Sequence, residues 1–399
     1  MNTFEIKKDI YWVGAIDWDL RDFHGYSTER GSTYNAFLVM DEKTALMDTV
    51  KSTMTGELFS RIRKVLPSGK LDYLVLNHAE MDHSGSLPDV FREFRPDRII
   101  CSPPCRDAIV EHFGRHDWPF QVVRTGDSLS LGKKTVRFIE TKMLHWPDSM
   151  FSYLEEDRLL ISSDAFGQHY ATGERFDDEV DQSELIRQSA KYYANIILPY
   201  SALVTRLLVN VKAMGIQIDM IAPDHGLIWR KGAGNIIKAY SGWAEQKTKS
   251  KAVVAYDTMW GSTARMANAV ADGLISEGVE VKAADLKGWH RSDVMTELLD
   301  SGAFLLGSPT LNNGYLPRIA DLICYARGLK PLNKVGASFG SYGWGGEAVK
   351  LMNEDLQNMK VAVVDEGVRV KYVPEEEDLE KCRQLGERVG RSLRDRLDR

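Results

Sequence analysis

At 399 residues the chain is too long for one ordinary hydrophobic core, so two or three domains are expected. Its 51 basic and 57 acidic residues are mixed along the sequence and leave a net charge of −6; this excludes a basic nucleic-acid-binding field and points to small molecules or proteins as partners. Four cysteines (Cys101, Cys105, Cys324, Cys382) are too few for a disulfide framework, and with no apolar leader and no apolar run near about 18 residues the sequence predicts a soluble, cytoplasmic protein.

The first 50 or so residues alternate short apolar runs, at 10–13, 36–40 and 44–47, with turn residues, a hairpin pattern. Helical spacing follows over 56–65, and the apolar run 73–76 then reads as a buried strand. That strand ends in Asn77-His78-Ala79-Glu80-Met81-Asp82-His83, which packs four potential metal ligands into six residues before the turn at Ser84-Gly85. Two imidazoles and two carboxylates without a thiolate suit iron, manganese or zinc, not copper(I) or an iron–sulfur cluster. His145, Asp164 and His225 each follow a strand-like run and open a loop, which would aim them into a common cleft. Isolated histidines such as His112 and His169 read as ordinary surface or core residues, and Cys101-x-x-x-Cys105, interrupted by Pro103-Pro104, as free thiols. Strands at 98–100 and 121–123 with helices between them suit sheets sandwiched by helices.

The pattern H-x-E-x-D-H, followed by His145, Asp164 and His225, resembles the flavodiiron proteins, whose metal domain is a metallo-β-lactamase-like αββα sandwich. In the zinc hydrolases of that fold the place of Glu80 is taken by His, and a hard carboxylate there tilts the site toward iron. The resemblance implies that His78, Glu80 and His145 hold one iron, that Asp82, His83 and His225 hold the other, and that Asp164 bridges them. The sequence leaves open whether His83 binds or turns aside.

A helical pattern over 181–215 is interrupted by Pro199, which should end or kink a helix near Leu198. Within it Tyr193 is a candidate for a hydroxyl facing the metals, and His24, in an early loop, is a candidate proton donor. The polar, aperiodic stretch 244–251 places a domain boundary near residue 250, giving domains 1–249 and 250–399.

Beyond it, a buried strand at 252–256 runs into Asp257-Thr258-Met259-Trp260-Gly261-Ser262-Thr263 and a helix over 264–275. Strand, hydroxyl-rich turn and helix N-terminus make a phosphate site. The turn lacks a Walker lysine and the glycine spacing of a dinucleotide fingerprint. Strands at 303–307 and 335–339 feed two more loops, with Pro309, Thr310, Leu311, Asn312, Asn313 and Gly314 in one and Ser341, Tyr342, Gly343, Trp344 and Gly345 in the other. These lie where a doubly wound parallel sheet binds ligands. The T-x-x-x-x-T turn resembles the phosphate loop of flavodoxins, which implies a flavodoxin-like domain with FMN as its ligand. A charged amphipathic helix over 375–397 closes that domain.

The resemblance to flavodiiron proteins implies reduction of dioxygen to water or of nitric oxide to nitrous oxide, with FMN relaying electrons to the irons. It further implies a head-to-tail homodimer or dimer of dimers. Without an appended rubredoxin module, an external donor is expected, either a rubredoxin-like protein or a reduced deazaflavin. Two other readings are a hydrolase of the metallo-β-lactamase fold, which Glu80 and the second domain oppose, and a flavodoxin-like electron carrier, which the seven-ligand set opposes.

Overall fold

The protein is described by a computed structural model over residues 3–398. The chain forms two compact units. The first contains the chain up to His24, Thr28–Tyr192 and Ala202–Ser241; the second contains Gly25–Ser27, Tyr193–Ser201 and the chain from Gly242 onward.

Two large sheets make the core of the first unit, with a two-stranded pair, Ala15–Asp17 and Ser32–Tyr34, beside them. One has seven strands in the order Phe4–Lys7, Ile10–Trp12, Phe37–Val39, Ala45–Met47, Tyr73–Leu76, Arg98–Cys101, Phe120–Val122. The other has five, Ser128–Ser130, Thr135–Glu140, Met150–Leu154, Leu159–Ile161 and Met220–Ala222. Strand alternation sorts the apolar residues between two layers. Leu74 and Leu76 pack with Leu58, Ile62, Leu87 and Val90 of the covering helices. Val75, facing the other way, packs with Val136, Phe138, Ile161 and Ala222 of the second sheet. Tyr73–Leu76 is paired in parallel on both sides, with Ala45–Met47 and Arg98–Cys101, and buried strands of this kind read as continuous apolar runs.

In the second sheet Thr135–Glu140 and Leu159–Ile161 are both antiparallel to Met150–Leu154, while Leu159–Ile161 is parallel to Met220–Ala222. The carboxyl ends of all three ligand-bearing strands therefore share one edge. The Met150 amide donates to the Asn77 carbonyl at 3.0 Å, which joins this edge to the end of Tyr73–Leu76 in the first sheet.

The expected break in the 181–215 helix is present and broader than one proline requires. An α-helix over Gln182–Tyr192 passes into a π turn over Tyr193–Ile197 and a 3₁₀ turn over Leu198–Tyr200, and α-helix resumes at Ser201–Ala213. By length and composition Gln182–Ala213 is apolar enough to cross a membrane. It nevertheless buries Gln188, Ser189 and Lys191, and the Lys191 ammonium pairs with Glu29 at 2.6 Å, so its apolar character serves a folded core.

The second unit is a parallel sheet with central order Glu280–Asp285, Lys249–Tyr256, Ser301–Gly307, Val335–Tyr342. Its outer position is shared by two short strands, Ala362–Val363 and Val368–Lys371, which pair with successive parts of Val335–Tyr342. This is the 2-1-3-4-5 doubly wound order, whose switch point lies beside the first and third strands. Helices Ser262–Ser276 and Glu376–Leu397 cross at glycines, where a Cβ on Gly273 would come within 1.9 Å of the Arg383 carbonyl.

Lys334, at the start of Val335–Tyr342, is 1% exposed. Burial pushes its ammonium down to about 7, against a raising influence from Asp300. The folded value lies below that of the unfolded chain, so the unfolded state holds more protons between those values and stability rises with pH across that window. Lys334→Met is therefore expected to stabilise this unit by a few kcal/mol, about 1.4 for each unit of pKa displacement. Denaturation midpoints should show the gain in full near pH 7 and lose it as pH approaches 10; a pH-independent gain would contradict this account.

Candidate metal centre

Asn77 fixes the end of the ligand strand. Its backbone N–H and its side-chain amide donate to the Asp48 carboxylate at 2.7 and 2.6 Å, and its side-chain oxygen accepts from Ser152 at 2.7 Å. Burial raises the Asp48 carboxyl to about 6, while nearby His83 and the Asn77 bonds oppose that rise. From this anchor the chain delivers His78, turns through extended Glu80, and enters the short helix Met81–Ser84 that carries Asp82 and His83. Asn35 pins the other loop: its amide donates to the carbonyls of Pro223 and Gly226 at 2.7 and 2.9 Å, and its backbone N–H to Asp224 at 2.7 Å.

All seven ligand candidates converge. Glu80 Oε2 lies 3.2 Å from His78 Nε2 and 3.3 Å from His145 Nε2, and Asp164 Oδ2 lies 3.4 and 3.0 Å from the same two nitrogens. On the other side Asp82 sits 3.4 Å from His83 Nε2 and 3.2 Å from His225 Nε2, and Asp164 Oδ1 lies 3.3 and 3.4 Å from them. Asp164 thus gives one oxygen to each set of imidazoles. Neighbouring ligands at about 2.1 Å from a shared ion stand about 3 Å apart, which is the spacing seen here.

The residues fit a pair of metal ions. Both carboxylate oxygens of Asp82 and both ring nitrogens of His83 are buried and make no hydrogen bond among the described residues, although charged groups lie close by. Such atoms are costly to bury unless they bind something. In the protein alone, burial opposes charge on His78 and His83, yet Asp148 and Glu80 for the first and Asp82 and Asp164 for the second hold both imidazoles well above their usual range. His145 is raised to about 9 by Asp164 and Glu80 against the same burial, and Asp164 is held well below the carboxylate range, chiefly by His83 and His145. His78, His83 and His145 balance the carboxylates with protons, a task that divalent cations perform once they displace those protons.

The outer partners were only partly foreseen. His78 Nδ1 faces Asp148 Oδ2 at 3.0 Å, and the same oxygen accepts from the Ala79 amide at 2.6 Å. His225 Nδ1 donates to the Thr33 carbonyl at 2.7 Å, and His83 Nδ1 lies 3.8 Å from Asp224. Asp148 and Asp224 stand within the same short strings as His145 and His225, so their proximity to the ligands in sequence was the available signal. His24 reaches the site: its Nε2 is 3.2 Å from Glu80 Oε1, with the side chain 73% exposed. Tyr193 instead packs against Trp243 and bonds Ser201 at 3.1 Å, within the second unit. Its neighbour Tyr192 is the hydroxyl that meets the metal centre, donating to Asp164 Oδ1 at 2.9 Å. One helical step of about 100° separates the two rings, and helical spacing without tertiary partners does not tell them apart. His169 is a core residue, as expected, and packs beside the site, with Nδ1 2.7 Å from Ser32 and its ring 4.7 Å from that of His225.

In the second unit the three predicted loops meet around a cavity of about 660 Å³. Its wall includes Thr258, Met259, Trp260 and Ser262, then Pro309, Thr310, Leu311, Asn312 and Asn313, then Ser341, Tyr342, Gly343, Trp344 and Gly345. Gly261, Thr263 and Gly314 shape the loops without lining it. Gly261, at φ +90°, opens the helix Ser262–Ser276; Thr263 is buried with its hydroxyl 3.3 Å from that of Ser341; and Gly314 exchanges backbone bonds with Leu311. Glu347 and Tyr372 join the wall unforeseen. Trp260 and Trp344 are 94% and 91% exposed beside it. Backbone amides at a helix N-terminus, hydroxyls and aromatic rings gathered around one cavity suit a phosphorylated flavin.

Comparison with known proteins follows the same division. Residues 33–226 match the model of the ODP family beta lactamase and residues 254–386 that of flavodoxin. The chain is 48% identical to a nitric oxide reductase of Moorella thermoacetica over 98% of each chain. Its structure matches that of rubredoxin oxygen:oxidoreductase from Desulfovibrio gigas with a TM-score of 0.98 at 43% identity, covering all of both chains. It matches the flavodiiron protein of Giardia intestinalis with a TM-score of 0.96 at 36% identity, covering 100% of this chain and 98% of that one.

Asp148→Ala removes the partner of His78 Nδ1. Metal retention against a competing chelator is expected to fall about tenfold to a hundredfold while the fold persists. Wild-type retention would mean that Asp148 does not orient the ligand.

Proposed function

This chain belongs to the flavodiiron proteins, and on that premise we propose that it reduces dioxygen to water, nitric oxide to nitrous oxide, or both. Electrons enter from an external donor through FMN. The observation that carries the reading is the division of Asp164's two oxygens between two sets of imidazoles, next to a carboxylate ligand at Glu80.

In this reading His78, Glu80 and His145 would hold one iron and Asp82, His83 and His225 the other, and Asp164 would serve both. Three carboxylates against two divalent ions leave a small positive charge, favourable for an electron-rich gas ligand. When bound, the two irons supply open coordination positions and two electrons, and reduced FMN supplies two more. The chain's own groups do the positioning. Tyr192 occupies a lone pair of Asp164 Oδ1 and so fixes the rotation of the bridging carboxylate. Asp148 and the Thr33 carbonyl orient His78 and His225 through their outer nitrogens. His24, exposed at one side and bonded to Glu80 at the other, is placed to carry protons from solvent at its imidazole. Phe23, against the rings of His24, His169 and His225, keeps that side of the centre apolar.

For the flavin, Thr258, Ser262 and the amides opening Ser262–Ser276 receive the phosphate, while the 309–313 and 341–345 loops flank the ring. We place the metal function in residues 1–249 and the flavin function in 250–399. Two fully exposed tryptophans beside the cavity support a head-to-tail homodimer, in which a second copy covers Trp260 and Trp344. Four free cysteines, three of them buried, support a cytoplasmic setting. The donor is a rubredoxin-like protein or a reduced deazaflavin; the Desulfovibrio gigas relative carries rubredoxin in its name.

Asp164→Ala separates this reading from that of an electron carrier. Gas consumption is expected to fall at least about a hundredfold while FMN stays bound and is still reduced by the donor. Oxygen and nitric oxide electrodes, read with the flavin spectrum, report both quantities. Undiminished consumption would place the chemistry elsewhere.

A further inference from the structure

The cavity of the second unit is lined almost wholly by neutral groups. Among the described residues on its wall, Glu347 is the one side chain with a formal charge. Its Oε2 is buried and accepts no hydrogen bond among the described residues. The loop above it is shaped around that carboxylate, since a Cβ on Gly345 would come within 2.3 Å of Oε2. Glu347 also precedes the helix Ala348–Asn358, where an acid complements the positive helix end, but its side chain makes no capping bond there. Complementing a helix does not require a carboxylate oxygen packed beneath the cavity's glycine-rich loop and left without a donor.

A fixed negative charge beside a flavin acts unequally on its two oxidation states. The oxidised ring is neutral, whereas two-electron reduction near neutral pH adds negative charge to it. A carboxylate in the wall of the cleft repels the reduced ring, the more strongly the less water screens it. We propose that Glu347 sets the relative affinity of the cleft for reduced and oxidised FMN, weakening the reduced form and making the bound flavin a stronger reductant for the metal centre. This rests on the assignment of FMN to the cavity. Glu347 lies at the end of the glycine-rich loop, past the stretch that aromatic stacking alone would single out, and it acts through charge and not through contact with the gas substrate.

The test uses the full-length protein and the isosteric variant Glu347→Gln, with Glu347→Asp as the charge-retaining control. Dissociation constants for oxidised FMN, from fluorescence quenching, and midpoint potentials under anaerobic spectroelectrochemistry together give the affinity for reduced FMN. Glu347→Gln is expected to tighten reduced relative to oxidised FMN at least about tenfold, a rise of about 30 mV in the two-electron potential. Glu347→Asp should stay within about threefold of the wild-type ratio, in keeping with its retained charge. Three results would overturn the proposal: a Gln variant with the wild-type ratio, a Gln variant that loses both forms alike, or an Asp variant that shifts as far as Gln. Wild-type protein that takes up no FMN would instead overturn the cofactor assignment, and this proposal with it.

Discussion

The two oxygens of Asp164 govern the first half of the molecule. A single buried carboxylate faces four imidazole nitrogens, at 3.0–3.4 Å, two to each oxygen. That arrangement requires two sheets to present their carboxyl edges to one point, with Asp164 and His225 arriving from parallel strands of one sheet and His78 from the other. The Met150 to Asn77 backbone bond and the Ser152 to Asn77 side-chain bond hold the two edges together at that place, and the Asn77 to Asp48 pair steadies the first. Rotation of Asp164 would detach one set or the other, and the Tyr192 hydroxyl on Oδ1 opposes it.

The second unit solves a different binding problem with the same device, loops at the carboxyl ends of parallel strands. Its strand order puts the phosphate turn after the first strand and the 309–313 loop after the third, on either side of the switch point. The two sites differ in electrostatics. The metal centre gathers carboxylates and neutralises them with imidazoles; the flavin cavity keeps charge away except at Glu347. One site is built to retain cations and the other to hold a ring whose charge changes during turnover.

Much of this was legible in the sequence where spacing is local. Tyr73–Leu76 and the ligands behind it sit within a dozen residues, and an apolar run ending in four ligands has few other uses. The phosphate turn was legible for the same reason. Long-range pairings were not: Asp148 meets His78 across 70 positions, and Asn35 meets the 223–226 turn across about 190. The choice between Tyr192 and Tyr193 depended on which way the helix faces before its π turn, a tertiary fact. Tyr372 escaped notice because the outer strand is split into Ala362–Val363 and Val368–Lys371, each too short to read as a strand. That His169 is a core residue was legible, but not that its ring lies beside His225, which is a long-range contact.

One chain carrying both a two-iron centre and a flavin is what the two sites imply together. Elemental analysis with flavin extraction, on protein purified anaerobically from iron-replete cells, tests it most directly. About two irons and one FMN per chain are expected, from the seven-residue donor set and the flavodoxin-like cavity. Two zinc ions and no flavin would contradict it and return the chain to the hydrolases that share its first fold.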